Sequence, residues 1–259
     1  MMKIGICGAG GRMGREVCKA VLSEPAFELV CAVDPHYENQ SLRELVFEAP
    51  EGLRIAARVE ALVESGAEAM VDFSIAEAAK KNVPFALEHG IHCVVGTTGL
   101  SREDLESFEA TALEHDVACL VAPNFAIGAV LMMHFASQAG RYLEGCEIVE
   151  MHHQAKIDAP SGTSRHTARM ILEARGVDSW EEKDQGPRGL SMGGINLHSV
   201  RLPGLVAHQE VIFGGKGQTL IIRHDSFDRS SFMPGVILSL KKIAQHRGLV
   251  VGLQHILEL

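Results

Sequence analysis

The chain has 259 residues, 46% of them hydrophobic, enough for one large domain or two modest ones with a full core. Lys and Arg total 24 against 33 Asp and Glu, a formal net charge of −9, which speaks against a nucleic-acid binder and requires a local basic pocket for any anionic substrate. The 6 cysteines form no Cys-x-x-Cys and read as buried free thiols of a reducing, cytoplasmic compartment. No apolar run is long enough to span a bilayer, and the opening Met-Met-Lys-Ile-Gly-Ile leads straight into a strand, with no room for a signal peptide.

Residues 3–7 form a short apolar strand, followed by Gly8-Ala9-Gly10-Gly11-Arg12-Met13-Gly14 and a helix to about residue 23. This glycine spacing suits a tight turn, a close backbone approach to a pyrophosphate and a helix N-terminus aimed at it. Its place between a strand and a helix supports that use, so residues 8–13 are expected to hold a dinucleotide. A second strand, 27–33, ends at Asp34, placed to accept hydrogen bonds from the ribose hydroxyls of NAD; the alternative is a strand-end turn residue.

The pattern then alternates: strand 70–73, helix 75–89, strand 92–95, helix 101–115 with Ser101 and Asp104 spaced as a capping box, strand 118–121. Alternation of this kind predicts an α/β fold with a Rossmann-like parallel sheet and ligands beyond the carboxyl ends of its strands. Three such ends stand out: Asp72-Phe73-Ser74, Gly96-Thr97-Thr98-Gly99 and Ala122-Pro123-Asn124-Phe125. The second offers small residues to a flat ring, although each is equally an ordinary turn. His89 and His92 lack a suitable third ligand and read as a helix C-terminal cap, so no metal is expected.

The second half differs. A buried helix over 126–143 precedes a strand at 146–151 and the run Glu150-Met151-His152-His153-Gln154-Ala155-Lys156-Ile157-Asp158-Ala159-Pro160-Ser161-Gly162-Thr163. Thr167, Met170, Ile171 and Ala174 then follow at helical spacing, with Ser161 or Thr163 as the N-cap. The Ser161-Gly162-Thr163 start is a cradle for a carboxylate. His152 and Lys156, four apart, share a face in strand or helix, which sets two proton donors beside that cradle. The plainer alternative is a surface turn with a solvated lysine and half-buried histidines. Residues 176–189 are polar and read as a mobile loop. Strand-like runs at 195–201, 207–213 and 218–224, with hairpin turns at Gly204 and at 214–217, predict an antiparallel or mixed sheet in a second, α+β domain. A helix over 231–246 and an apolar stretch at 249–257 close the chain.

Glu-x-His-His-x-x-Lys-x-Asp-Ala-Pro-Ser-Gly-Thr resembles the signature of the dihydrodipicolinate reductase family, and the likeness extends over nearly the whole chain. The resemblance implies reduction of 4-hydroxy-tetrahydrodipicolinate to tetrahydrodipicolinate by NADH or NADPH, in the diaminopimelate route to lysine. It implies a dinucleotide-binding domain of residues 1–125 plus 230–259, and a substrate and oligomerisation domain of 126–229 that forms a homotetramer. It assigns the proton-donor role to His152 with Lys156 as partner, and carboxylate binding to His153, Gly162 and Thr163. Gly96, Thr97 and Thr98, with Ala122, Pro123, Asn124 and Phe125, would surround the nicotinamide. Members that favour NADPH tend to carry an Arg after the acid at Asp34; here Pro35 and His36 follow, so NADH is favoured, while Arg12 keeps NADPH open. The chain departs from the family at Val206-Ala207-His208-Gln209-Glu210, where many members have Gly-Glu-His, and at Ser226, where Ala is usual; the role of His208 stays open, and Arg229 is either a hinge or rim residue or a plain surface arginine. Two other readings remain. One is a related amino-acid-pathway dehydrogenase, which would lack the His-His-x-x-Lys run. The other is a non-catalytic NADH-binding regulator, which would need a nucleic-acid-binding region.

Overall fold

The structure, a computed structural model, describes residues 1–259. The chain divides into one unit of Met1–Phe125 with Phe232–Leu259, and another of Ala126–Ser231.

The first unit opens with β1 (Met2–Cys7), α1 (Arg12–Ser23), β2 (Phe27–Val33), α2 (Ala61–Glu64), β3 (Ala69–Asp72), α3 (Ala76–Glu88), β4 (His92–Val95), α4 (Arg102–Glu114) and β5 (Ala118–Val121). All pairings among these strands are parallel. Every residue of β3 and β5 is buried, as expected where helices cover both faces of a sheet. The capping box opens α4 as its sequence predicts: Ser101 Oγ accepts from the Asp104 N–H, and the Asp104 carboxylate accepts from the Ser101 N–H. From β1 the chain steps out to β2 and then back past β1 to β3, so the strand order reverses beside β1. Ligands of open α/β sheets gather at that reversal, beyond the strands' carboxyl ends.

The second unit contains α5 (Ile127–Gly140), β6 (Gly145–His152), α6 (Gly162–Ala174), β7 (Glu182–Asp184), β8 (Leu190–Met192), β9 (Ile195–Arg201), β10 (Ala207–Gly215) and β11 (Gln218–Ser226). Its sheet order is β11-β10-β6-β9-β8-β7. Only β6 and β9 pair in parallel. Ile148 of β6, Leu197 of β9 and Val211 of β10 lie in register and are all buried. One row further along the same face the residues are Glu150, Ser199 and Gln209. The sheet floor thus changes from apolar to polar where β6 approaches its end.

The chain then returns to the first unit with α7 (Met233–Lys242), β12 (Gly248–Val251) and α8 (Gln254–Leu257). β12 pairs in parallel with β5 and completes the order β12-β5-β4-β3-β1-β2.

Four expectations need correction. Gly204 does not make a hairpin, because β9 and β10 lie on opposite sides of β6; a direct turn would have made them neighbours. Residues 214–217 do make one, closed by the Gly215–Gln218 pair with Gly217 at φ +73°. The polar segment 176–189 is not all loop, since it contains β7, whose three exposed residues make a sheet edge that hydrophobic patterning cannot reveal. At the C-terminus, helix α7 proper begins only at Met233, after a 3-10 turn at Arg229–Phe232, and the apolar stretch at 249–257 is split by Gly252 into a strand and a short helix. No helix is long and apolar enough to cross a membrane.

Candidate active site

β1 runs into Gly8, whose φ of +76° belongs to the left-handed region, and a Cβ there would lie 2.6 Å from the Phe73 carbonyl oxygen. A Cβ on Gly14 would lie 2.0 Å from the Gly8 oxygen, so α1 rests directly on the loop. α1 begins at Arg12 with Gly11 as an N-cap that supplies no side-chain acceptor. The N–H groups of its first turn are therefore open to an anion, as a pyrophosphate requires. Asp34 is buried at the end of β2, where it accepts from the Gly10 N–H at 3.0 Å and the His36 N–H at 3.1 Å. A carboxylate has about four acceptor sites, so capacity for ribose hydroxyls remains. Arg15, which the sequence does not distinguish from any helical arginine, donates to the Gly10 carbonyl at 2.8 Å and the Tyr37 hydroxyl at 3.2 Å.

Around the other strand ends, Asp72 is fully buried and organises its neighbours. It accepts from the Ser74 N–H (3.0 Å) and hydroxyl (2.7 Å), the Thr97 hydroxyl (2.6 Å) and the Asn82 amide (3.0 Å). Thr97 thus spends its hydroxyl on the fold, whereas Thr98 is exposed. A Cβ on Gly96 would lie 2.2 Å from the Phe73 ring, which in turn stands 5.7 Å from the Phe125 ring. Ala122 is tied to β4 by its N–H to the Val95 carbonyl at 3.0 Å, while Pro123 is exposed. His89 and His92 serve different structural ends. His89 bonds the Phe85 carbonyl at the close of α3, and His92 Nδ1 accepts from the Ala118 N–H at 3.0 Å.

In the second unit, β6 ends at His152 and the chain enters a turn in which the Lys156 N–H donates to the His153 carbonyl at 3.1 Å. Lys156 lies in neither strand nor helix, so the spacing argument for a face shared with His152 does not apply. The two are linked instead through Glu150 and Arg201. His152 Nδ1 donates to Glu150 Oε2 at 2.5 Å. Arg201, from β9, donates Nη1 to Glu150 Oε2 at 2.9 Å and Nη2 to Oε1 at 2.8 Å. The same guanidinium reaches the carbonyls of Lys156 (3.2 Å) and Asp158 (2.6 Å). Lys156 Nζ donates to Asp158 Oδ1 at 2.8 Å.

The Ser161 N–H also donates to Glu150, at 3.2 Å. Ser161, not Thr163, is the N-cap of α6, its hydroxyl accepting from the Ser164 N–H at 3.2 Å. Gly162 opens the helix on an exposed side where an added Cβ would meet nothing within 4 Å. Thr163 is half-buried and His153 exposed. Behind the helix, the Gln209 amide donates to Thr167 Oγ1 at 2.7 Å, and that hydroxyl donates to the Thr163 carbonyl at 2.8 Å. Gln209 Oε1 is the one buried side-chain polar atom without a partner. His208 is held at both ring nitrogens, by Asp225 at 2.7 Å and the Val206 N–H at 3.3 Å, which makes it a structural pin.

Burial pushes the Glu150 carboxyl up, but hydrogen bonds from His152, Arg201 and Ser199 outweigh it and bring the group from an ordinary 4.5 to about 2. In the sequence Glu150 is one residue of the run with no role of its own, and nothing local marks Arg201. Only the parallel pairing of β6 with β9, which sets His152 beside Arg201, brings that arginine to the site.

A glycine-turned parallel sheet with an acid after its second strand, joined in one chain to a unit that orients an imidazole beside a capped helix start, defines a nicotinamide-dependent oxidoreductase. Family models narrow this further: the dihydrodipicolinate reductase N-terminus matches residues 2–125 and its C-terminus residues 128–257. The chain is 45% identical to the 4-hydroxy-tetrahydrodipicolinate reductase of Bacillus velezensis, over 99% of this chain and 98% of that one. It is 46% identical to the enzyme of the same name from Corynebacterium diphtheriae, over 100% and 99%. A dipicolinate-bound dihydrodipicolinate reductase from Paenisporosarcina sp. TG-14 superposes with a TM-score of 0.85 at 39% identity, covering 98% of this chain and 99% of that one. An amine dehydrogenase from Mycobacterium smegmatis, at 12% identity and a TM-score of 0.70 over 96% of this chain and 94% of that one, shares the fold alone. The chain belongs to the dihydrodipicolinate reductase family, whose members are NAD(P)H-dependent oxidoreductases.

The depressed Glu150 predicts a pH dependence. A carboxyl lowered on folding contributes stability that is present above its unfolded value and is lost as pH falls through its folded value. Stability should therefore decline as pH falls from about 4.5 to about 2 through this group. Urea unfolding across that range should show a shallower decline in Glu150→Gln than in the parent; equal slopes would contradict the assignment.

Proposed function

We propose that this chain performs its family's reaction with the residues assigned here, on the observation that Glu150 orients His152 and at the same time anchors the start of α6. The chain reduces 4-hydroxy-tetrahydrodipicolinate to tetrahydrodipicolinate in the diaminopimelate route to lysine. Replacing the ring hydroxyl by hydrogen takes one hydride and one proton and releases water. Bound NADH or NADPH supplies the hydride. His152 supplies the proton, with Lys156, on the loop that Arg201 holds, as its acidic partner or second donor. Gly162 and Thr163 receive a ring carboxylate on their backbone N–H groups at the start of α6, which Ser161 caps, with His153 as a further donor. A lysine Schiff base is unnecessary for a substrate that already contains an imine.

In the nucleotide unit, the loop from Gly8 to Met13 holds the pyrophosphate and Asp34 the ribose. Gly96, Thr97, Thr98 and residues 122–125 line the nicotinamide end. Asp34, followed by Pro35 and His36, favours NADH. Measured kcat/KM should be higher with NADH or comparable for the two cofactors; a tenfold preference for NADPH, about 1.4 kcal/mol, would contradict this.

The chain assembles as a cytoplasmic homotetramer through the sheet of the second unit. The motive is that β11, an edge strand, exposes Leu220 (42%) and Ile221 (54%), and such edges are normally covered. Light scattering should give four times the 28.0 kDa chain mass, and a monomer would exclude this assembly.

For the chemistry, His152→Gln and Lys156→Met should each lower kcat by roughly 10²–10⁴-fold, the range of general acid catalysis, and leave NADH affinity unchanged. Gly162→Val should fold normally, given the open space around it, yet weaken binding of pyridine-2,6-dicarboxylate. Near-normal kcat in both donor variants, or undiminished inhibitor binding in Gly162→Val, would return the run to a structural turn.

A further inference from the structure

We infer that the Glu150–Arg201 ion pair is the positioning device of this site: it fixes the tautomer of His152 and holds the loop that carries Lys156. The inference rests on the reading of His152 as proton donor.

An ionised carboxylate only accepts hydrogen bonds, so the 2.5 Å contact between Glu150 Oε2 and His152 Nδ1 requires the proton to sit on Nδ1. The ring's other nitrogen, Nε2, is then the one that exchanges a proton with substrate. Glu150 remains ionised because its side chain, fully buried, meets the guanidinium through two parallel hydrogen bonds. Register delivers the arginine: Arg201 stands opposite His152 in the parallel β6–β9 pair, and the Leu202 N–H donates to the His152 carbonyl at 3.1 Å.

Arg201 has a second task. After β6 the chain has no regular structure until α6, so little besides side-chain bonds fixes residues 153–160. Two of the carbonyls in that loop, those of Lys156 and Asp158, accept from the same guanidinium. Asp158 in turn accepts from Lys156 Nζ. Ser161 closes the frame by donating its N–H to Glu150, so donor, lysine loop and helix start all refer to one carboxylate. A lysine at 201 would keep the charge but could not form this planar fork, since an ammonium donates from a single point.

The test is a variant cycle read by kcat, with NADH and pyridine-2,6-dicarboxylate affinities alongside. In Glu150→Gln an amide N–H can face Nδ1 and favour the opposite tautomer. Where an Asp orients the histidine of a serine protease, Asn in its place costs about 10⁴-fold in kcat. Here Glu150→Gln should lower kcat by at least about tenfold and leave NADH affinity within about twofold. The double variant His152→Gln/Glu150→Gln should lose less than the product of the two single losses, because the tautomer part of the Glu150 effect acts through His152. Arg201→Lys, which leaves Glu150 with a cation if Glu150→Gln fails to fold, should also lower kcat. Slow His152→Gln beside fully active Glu150→Gln and Arg201→Lys would overturn this inference and spare the donor reading. Losses that multiply in the double variant would overturn it equally. Near-normal kcat in His152→Gln would overturn the donor reading and the inference together.

Discussion

The second unit is arranged around one buried carboxylate, Glu150, and the half-buried arginine that pairs with it, Arg201. Taking a carboxylate out of water is tolerable only when its acceptor sites are filled and its charge is matched. Glu150 meets that condition through Arg201, His152 and Ser161, which come from β9, the end of β6 and the start of α6. Loss of one partner of such a pair typically costs about 3–5 kcal/mol, because the other is left buried and uncompensated. The elements that supply the partners are therefore held in place by the same energy that lets Glu150 stay charged. The polar row Glu150–Ser199–Gln209, followed by His152 and Arg201, begins the polar end of the sheet floor where the chemistry is placed.

The nucleotide unit meets a comparable constraint with sterics and hydrogen bonds. Gly8, Gly14 and Gly96 each stand where a Cβ would overlap backbone or an aromatic ring. Asp72, fully buried, has no cation beside it and is satisfied by four donors from Ser74, Thr97 and Asn82. It ties the ends of β3 and β4 together, so the loops that follow leave a stiff base. Preorganisation of this kind reduces the ordering cost when a cofactor binds.

Much of the architecture was legible because period and punctuation agreed. The strands at 27–33, 92–95 and 118–121 are largely apolar, and the Ser101–Asp104 box marks the start of α4. What stayed hidden depends on long-range pairing. The crossover of β9 and β10 to opposite sides of β6 leaves no local trace, and Gly204 alone looks like a hairpin glycine. Arg201 becomes part of the site only through that pairing. Lys156 shows the opposite failure: it belongs to a recognisable run, but the spacing argument assumed regular backbone where the chain turns. His208 sits at a position where the family pattern changes, and its part became clear only from the Asp225 and Val206 contacts.

The central claim is that an ionised Glu150 dictates which nitrogen of His152 carries the proton. Nitrogen-15 NMR of the histidine-labelled protein, with the His152 signals assigned by their loss in His152→Gln, reads this directly. The expected result is that Nδ1 carries a proton and that Nε2 is never the sole protonated nitrogen. A neutral His152 protonated at Nε2 would contradict it.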